Sequence, residues 1–356
     1  GRAMPPLERL IREALAAEGP MRLDRYMALC LGHPEFGYYM TREPFGEDGD
    51  FITAPEISQV FGELIGIWCA AQWQAMGKPA PFTLVELGPG RGLLLADMLR
   101  AAKVMPDFAT AANIHLVETS ARLREAQRQV LGDTITWHER LADVPPGPMI
   151  AVANEFFDAL PIRQFEMRQG HWHERVVGLA DGALVLGLVE SDGFTRRGPA
   201  ADRTIVEISP ARTEIAAELG ARLANEGGAA LIIDYGHAKS APGDTLQAMR
   251  GHGFVAVTET PGLCDLTAHV DFQALGAALA GAGAAIWPVL TQRAFLLAMG
   301  LEARSARLAA AADPQARDRL TRATRRLADE TEMGNLFKVL AASHVGQGAP
   351  YPFGEP

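Results

Sequence analysis

Cysteine is scarce in this chain: Cys30, Cys69 and Cys264 are the 3 in 356 residues, and no two form a CxxC pair. That scarcity excludes a disulfide framework and a cysteine-based zinc site, and it points to a reducing compartment. Basic charge is also short, with 33 Lys and Arg against 43 Asp and Glu and a net charge of −10. A nucleic-acid partner needs a basic surface to neutralise phosphate, so none is expected. A basic peptide suits the acidic balance instead. Long apolar runs are missing too, because glycine or charge interrupts each one well before the roughly 20 residues that a spanning helix needs. Neither a membrane span nor a signal peptide is expected.

What is present is organised around Phe82 to Leu99, FTLVELGPGRGLLLADML. Phe82 to Leu87 is a short apolar run with Thr83 and Val85. Gly88, Pro89, Gly90 and Gly92 follow, and then a leucine-rich segment of helical length. The order strand, glycine turn, helix is the front of a Rossmann-like βαβ unit, in which glycines let a ligand approach the backbone and the opening amides of the helix face it. Glu86, two residues before the first glycine, would repel the pyrophosphate of a dinucleotide but suits the ammonium and sulfonium charges of S-adenosyl-L-methionine. The spacing GxGxG also departs from the GxGxxG dinucleotide fingerprint.

Before that unit, Leu7, Leu10, Ile11 and Leu15 mark one helix face, and Leu23, Tyr26, Met27 and Cys30 a second. Gly32 to Ala54, carrying Phe36, Tyr38, Tyr39, Phe45 and Phe51, reads as an aromatic lid loop over the cofactor. Thr53 and Glu56 have capping-box spacing and open a helix with Val60, Phe61, Leu64, Ile65 and Trp68 on its apolar face. We count Thr53 with the cofactor-binding set. After the glycine turn, Ile114 to Val117 is a second strand ending at Glu118, which is placed to accept hydrogen bonds from ribose hydroxyls. Ile135 to His138 is a third, with Glu139 where an adenine ring would lie. Met149 to Ala153 is a fourth and runs into Asn154-Glu155-Phe156-Phe157-Asp158. Chemistry in open α/β sheets gathers beyond strand carboxyl ends, which makes Glu155 and Asp158 the leading catalytic candidates and Asn154 an orienting one. As acids three residues apart, Glu155 and Asp158 are expected on one face of a helical turn.

Gln164 to Met167, Trp172 to Leu179 and Ala183 to Glu190, separated by Gln169-Gly170 and Asp181-Gly182, form an inserted antiparallel β meander. His171 and His173 share a strand face there but lack a third ligand, so no metal is expected. Ala229 to Asp234 is the fifth core strand. Asp265 to Asp271 is rich in proton-handling groups, and His269 and Asp271 complete the catalytic candidates. Ala284 to Leu290 and Ala294 to Met299 suit a closing hairpin, and Arg317 to Arg326 a solvated helix face.

The stretches HPEFGYYM, FGEDGDFITAPEISQVFGELIG, VELGPGRG, NEFFDALP, LIIDYGH, DLTAHVDF and MGNLFKVL resemble those of the S-adenosylmethionine-dependent protein arginine methyltransferase family whose mitochondrial member assists assembly of respiratory complex I. The resemblance runs from about Leu7 to Leu340. It implies an α/β fold, the class I methyltransferase Rossmann-like core with a seven-stranded sheet whose last strand is antiparallel. It also implies a protein substrate, an arginine in the large iron–sulfur-associated subunit of complex I. The expected organisation is an N-terminal piece of helices and lid over 1–80, a core over 81–300 with the meander at about 161–210, and a C-terminal helical segment over 301–356. No transit peptide is evident, so the expected compartment is a bacterial cytoplasm, with the mitochondrial matrix after processing as the alternative. A small-molecule methyltransferase on the same core and a cofactor-binding assembly chaperone without turnover are the competing functional readings.

Overall fold

A computed structural model describes residues 3–41, 52–191 and 193–354. The chain divides into two compact units, each built from separated stretches: Ile52–Phe157, Thr213–Lys239 and Val270–Pro356 form a sheet unit, and Gly1–Phe51, Asp158–Arg212 and Ser240–His269 a meander unit. The expected N-terminal piece is therefore divided at Phe51, and the expected inserted meander falls in a different unit from the core strands on either side of it.

The sheet unit contains β1 (Phe82–Leu87), β2 (Ala112–Val117), β3 (Thr136–His138), β4 (Met149–Asn154), β5 (Gly228–His237), β6 (Ala285–Ile286) and β7 (Phe337–Ser343). Their order is β6-β7-β5-β4-β1-β2-β3, with the two-residue strands Val270–Asp271 and Leu290–Thr291 added on β5 and β7. β1 to β5 pair in parallel, and β7 is antiparallel to both β5 and β6. Every residue of β1 and β4 is buried, which is why they read as near-continuous apolar runs without alternation. Register aligns the strand ends: Leu87 lies opposite Val117 on one side and Ala153 on the other. Gly88, Glu118 and Asn154 therefore emerge side by side at one carboxyl edge.

Helices Gln59–Ala75 and Leu93–Ala102 bring Phe61, Leu64, Ile65, Leu94, Leu95 and Met98 into one buried core with Leu84, Ile150 and Val152. A Cβ on Gly66 would stand 2.5 Å from the Met98 carbonyl oxygen, so this glycine sets the close approach of the two helices. The first helix differs from expectation at its start. Thr53 leads only the short turn Ala54–Ile57 without a side-chain cap, and Ser58 caps the long helix by accepting the Val60 N–H at 3.1 Å.

Two further expectations are corrected. Ala294 to Met299 is not the second strand of a closing hairpin: Ala294 to Ala298 lie in helix Gln292–Ala298, which Thr291 caps through the Ala294 N–H at 3.0 Å, and Met299 is its C-cap. The short apolar run suits strand or helix by pattern alone, and the Thr291 cap decides for the helix. The antiparallel strand is β7, so 301–356 is not purely helical: after helices Leu301–Ala310 and Pro314–Ala328 it returns to the sheet between β6 and β5.

The meander unit joins helices Pro6–Glu18 and Leu23–Gly32 to strands Arg163–Arg168, His171–Ala180, Ala183–Glu190 and Ile205–Ile208. Turns at Gln169-Gly170 and Asp181-Gly182 carry positive φ at all four residues, as two-residue hairpins require. The expected lid lies partly here, and its stretch 42–51, with Phe45 and Phe51, is outside the described residues. No helix among the described residues is long and apolar enough to cross a membrane.

Candidate functional site

The glycine turn leaves β1 with φ of +61° at Gly88, +56° at Gly90 and +86° at Gly92, all left-handed. The Gly88 N–H donates to Val117 O at 3.0 Å and the Gly92 N–H to Pro89 O at 2.9 Å, fixing the turn against β2. A Cβ on Gly88 would stand 2.7 Å from Phe156 Cδ2, so the ring at the end of β4 packs directly on the turn. Arg91 pairs with Glu56 at 3.6 Å, and Glu56 accepts the Thr53 hydroxyl at 3.3 Å. Thr53 is buried and connects to the turn through these two side chains.

Two acids stand at the adjoining strand ends. Glu86, only 3 % exposed, has its pKa pushed up to about 8, chiefly by burial and then by the Glu118 charge. Its Oε1 and the Asn154 Oδ1 are buried without a hydrogen-bond partner among the described residues, which costs free energy unless a donor reaches them. Glu118 also has a raised pKa through burial, opposed by hydrogen bonds from the Ser120 N–H at 3.1 Å and Gln127 Nε2 at 3.1 Å. Glu139, beyond β3, is exposed.

The segment after β4 departs from expectation. Glu155 is half-buried with φ +52°, and its N–H donates to Ile233 O at 2.9 Å. Only Phe157–Ala159 forms a 3-10 turn, so Glu155 and Asp158 do not share a helical face. Phe157 is fully buried. Asp158 belongs to the meander unit, where its carbonyl accepts the Ala268 N–H at 3.0 Å and Arg212 Nη2 at 3.1 Å. The same guanidinium donates to His269 O at 2.7 Å. Asp271 accepts the Ala274 N–H at 3.0 Å and caps helix Phe272–Gly281, which gives its carboxylate a structural task. His173 Nδ1 lies 3.1 Å from His171 O, and no cluster of three or more His, Cys, Asp or Glu side chains suited to a metal occurs among the described residues.

Sequence reasoning passed over Gln127. It is fully buried on helix Ala121–Leu131 and bonds to both the glycine turn and Glu118. The available signal was its spacing of four from Leu123 and from Leu131, on the face that packs inward.

Comparison with known proteins supplies the family. A family model described as "Putative S-adenosyl-L-methionine-dependent methyltransferase" matches residues 64–288. The protein arginine methyltransferase NDUFAF7, mitochondrial, of Danio rerio is 38% identical over 367 residues, covering 94% of this chain and 86% of that protein. The Homo sapiens protein of that name is 35% identical, covering 94% and 83%. A Burkholderia thailandensis structure bound to S-adenosyl-homocysteine superposes with a TM-score of 0.82 at 30% identity, covering 95% of this chain and 92% of that one. The chain belongs to this family of S-adenosyl-L-methionine-dependent methyltransferases.

Proposed function

We propose that the protein methylates arginine on a protein substrate, with the Glu155 carboxylate receiving the guanidinium. The observation that carries this reading is the left-handed backbone of Glu155, immediately beyond β4 and anchored on β5. Such a conformation costs a non-glycine residue of order 1–3 kcal/mol and persists only where the surrounding structure holds it, and at a strand's carboxyl edge beside the glycine turn it supports a functional reading of the side chain. The names of the NDUFAF7 relatives support the same substrate class. From the resemblance we extend the proposal to an arginine of the large iron–sulfur-associated subunit of complex I. The relatives' mitochondrial names support the matrix alternative for the compartment and lend nothing to a bacterial cytoplasm.

The site residues fit the cofactor. Gly88, Gly90 and Gly92 hold a left-handed turn, two of them packed against Phe156 and Leu131, Glu86 and Asn154 present unsatisfied acceptors to an amino group, and Glu118 suits a ribose. When bound, S-adenosyl-L-methionine supplies an electrophilic methyl group and leaves as S-adenosylhomocysteine. An arginine guanidinium is charged at all accessible pH and its lone pairs are delocalised. Glu155, accepting two of its N–H groups as a bidentate carboxylate does, draws positive charge onto those nitrogens and frees density at the third. The nitrogen that gains the methyl loses a proton. Asp158, and His269 with Asp271, remain the other proposed handlers of the guanidinium or that proton.

Incubation with radiolabelled cofactor and cell extract tests the proposal. Label is expected in a protein band and, after acid hydrolysis, in methylated arginine. Label confined to the protein-free fraction would overturn it in favour of a metabolite methyltransferase, and cofactor binding without transfer in favour of a chaperone.

Two ligand-binding predictions follow from the acids. Glu118→Ala deletes charge-assisted hydrogen bonds of roughly 1.5–3 kcal/mol, so calorimetric affinity for S-adenosylhomocysteine is expected to fall at least about tenfold, and because Gln127 Nε2 and the Ser120 N–H also lose their acceptor, apo stability should fall by about 1–3 kcal/mol. Parental affinity in a folded Glu118→Ala variant would remove Glu118 from the ribose. For Glu86, the folded pKa near 8 lies above the ordinary 4.5, so the apo protein holds this proton at neutral pH. Apo stability from this group accordingly falls as pH rises from about 4.5 through 8. A cationic ligand favours the carboxylate. Affinity for S-adenosyl-L-methionine is expected to rise up to about tenfold per pH unit until pH approaches 8, with proton release on binding, and Glu86→Gln should flatten that slope.

A further inference from the structure

Gln127 has no exposed surface, yet its whole amide is engaged. Nε2 donates to Gly90 O at 2.7 Å and to Glu118 Oε1 at 3.1 Å, while Oε1 accepts Trp137 Nε1 at 2.9 Å. The orientation of the amide is forced, because an indole N–H only donates and a backbone carbonyl only accepts; a flipped amide would be mismatched at both Trp137 and Gly90. A single side chain therefore ties the glycine turn after β1, the end of β2 and the middle of β3. Glu118 is held on its other oxygen by the Ser120 N–H, and its own N–H donates to His138 O at 2.9 Å. Between Gln127 and Ser120 the plane of the carboxylate is set before any ligand arrives.

We propose that Gln127 is a positioning residue for cofactor selection: by fixing the Glu118 carboxylate and the Gly90 carbonyl together, it makes the site require a nucleoside with both ribose hydroxyls. This rests on Glu118 as the ribose partner. A site preorganised to hydrogen-bond a hydroxyl rejects the ligand lacking it, because its own buried polar groups are then left unpaired. A carboxylate free to turn toward its neighbours loses that discrimination while keeping its charge. Gln127→Met keeps length and volume but removes both donors and the acceptor. Trp137→Phe leaves the amide in place and removes only the donor that orients it.

Calorimetry with S-adenosylhomocysteine and its 2′-deoxy and 3′-deoxy analogues, on the parent, Gln127→Met, Trp137→Phe and Glu118→Gln, tests the inference. The parent is expected to prefer the intact ribose by about tenfold or more. Gln127→Met should bind S-adenosylhomocysteine about tenfold more weakly and the analogues nearly as the parent does, so that the preference collapses; Trp137→Phe should move the same way by less. Equal weakening toward all three ligands would overturn the inference, since a general loss of fold or turn geometry does not discriminate among them. An intact preference in Gln127→Met would overturn it as well. If Gln127→Met does not fold, Trp137→Phe decides, and an unchanged preference there overturns the inference. Glu118→Gln separates the two layers: a preference retained in that variant removes Glu118 from the ribose, whereas a preference lost there and kept in Gln127→Met removes Gln127 alone.

Discussion

Glu155→Gln is expected to lower single-turnover methyl transfer by about a hundredfold or more, while affinity for S-adenosylhomocysteine stays within about twofold of the parent. Glutamine preserves the shape and the backbone preference of glutamate and removes only the charge. A neutral amide cannot draw the guanidinium's charge onto the nitrogens it holds, so the loss belongs to the transition state and not to uniform binding. Ordinary oxyanion and charge-stabilising groups contribute losses of this order when removed. Asp158→Asn and Asp271→Asn measured alongside set the comparison. Asp271 caps helix Phe272–Gly281, and asparagine caps about as well as aspartate, so Asp271→Asn should leave stability nearly unchanged, whereas Asp271→Ala should cost about 0.5–2 kcal/mol. Parental activity in Glu155→Gln would remove this residue from the mechanism and leave Asp158 as the acid to pursue.

Gly90→Val is expected to abolish measurable S-adenosylhomocysteine binding, a loss of about a hundredfold or more. Gly90 has φ +56° and its carbonyl is tied to Gln127 at 2.7 Å, so the turn cannot relax into a β-branched residue's preferred region without breaking that bond. A valine at left-handed φ is a genuine outlier, and its side chain would stand where the ligand must approach the backbone. Gly88→Ala is the informative companion. Its Cβ would meet Phe156 at 2.7 Å, so it should shift the aromatic ring and the segment carrying Glu155, lowering turnover as well as affinity. A folded Gly90→Val variant with parental affinity would show that the ligand does not use this turn.

The parts of the fold and site that were legible in the sequence are those whose local pattern had one interpretation. Phe82–Leu87 was bounded by proline and glycine, and the meander by two turns whose residues tolerate positive φ. The resemblance to the arginine methyltransferase family likewise rests on stretches that are contiguous in the chain. Legibility failed where the deciding partner is distant. Ala294 to Met299 is a short apolar run that suits strand or helix equally, and the Thr291 cap decides it. Thr53 and Glu56 carried a helix-opening signal, yet Ser58 five residues on starts the long helix. The spacing of Gln127 from Leu123 and Leu131 marks the inward face of its helix, but what its amide does there depends on Gly90, Glu118 and Trp137, three partners scattered along the sequence. The strain at Glu155 is a backbone property that no residue pattern announces.

The position of β7 has a consequence for how the protein is made. It is the last core strand to be synthesised, yet it lies inside the sheet, between β6 and β5, with Val339, Leu340, Ala341 and Ala342 buried. Until it has left the ribosome, one whole edge of β5 stands open, and that edge is the apolar run Ala229, Ala230, Leu231, Ile232 and Ile233. An exposed edge of this kind is a template for wrong pairing. The nascent chain can form its glycine turn and its first four parallel strands early, but it cannot close the sheet until the polypeptide has been extended by roughly a hundred residues beyond β5. Cofactor present in the surrounding solution would find its turn already shaped on a half-built molecule, and a ribosome that pauses within the helices between β6 and β7 would hold that molecule at its most adhesive stage.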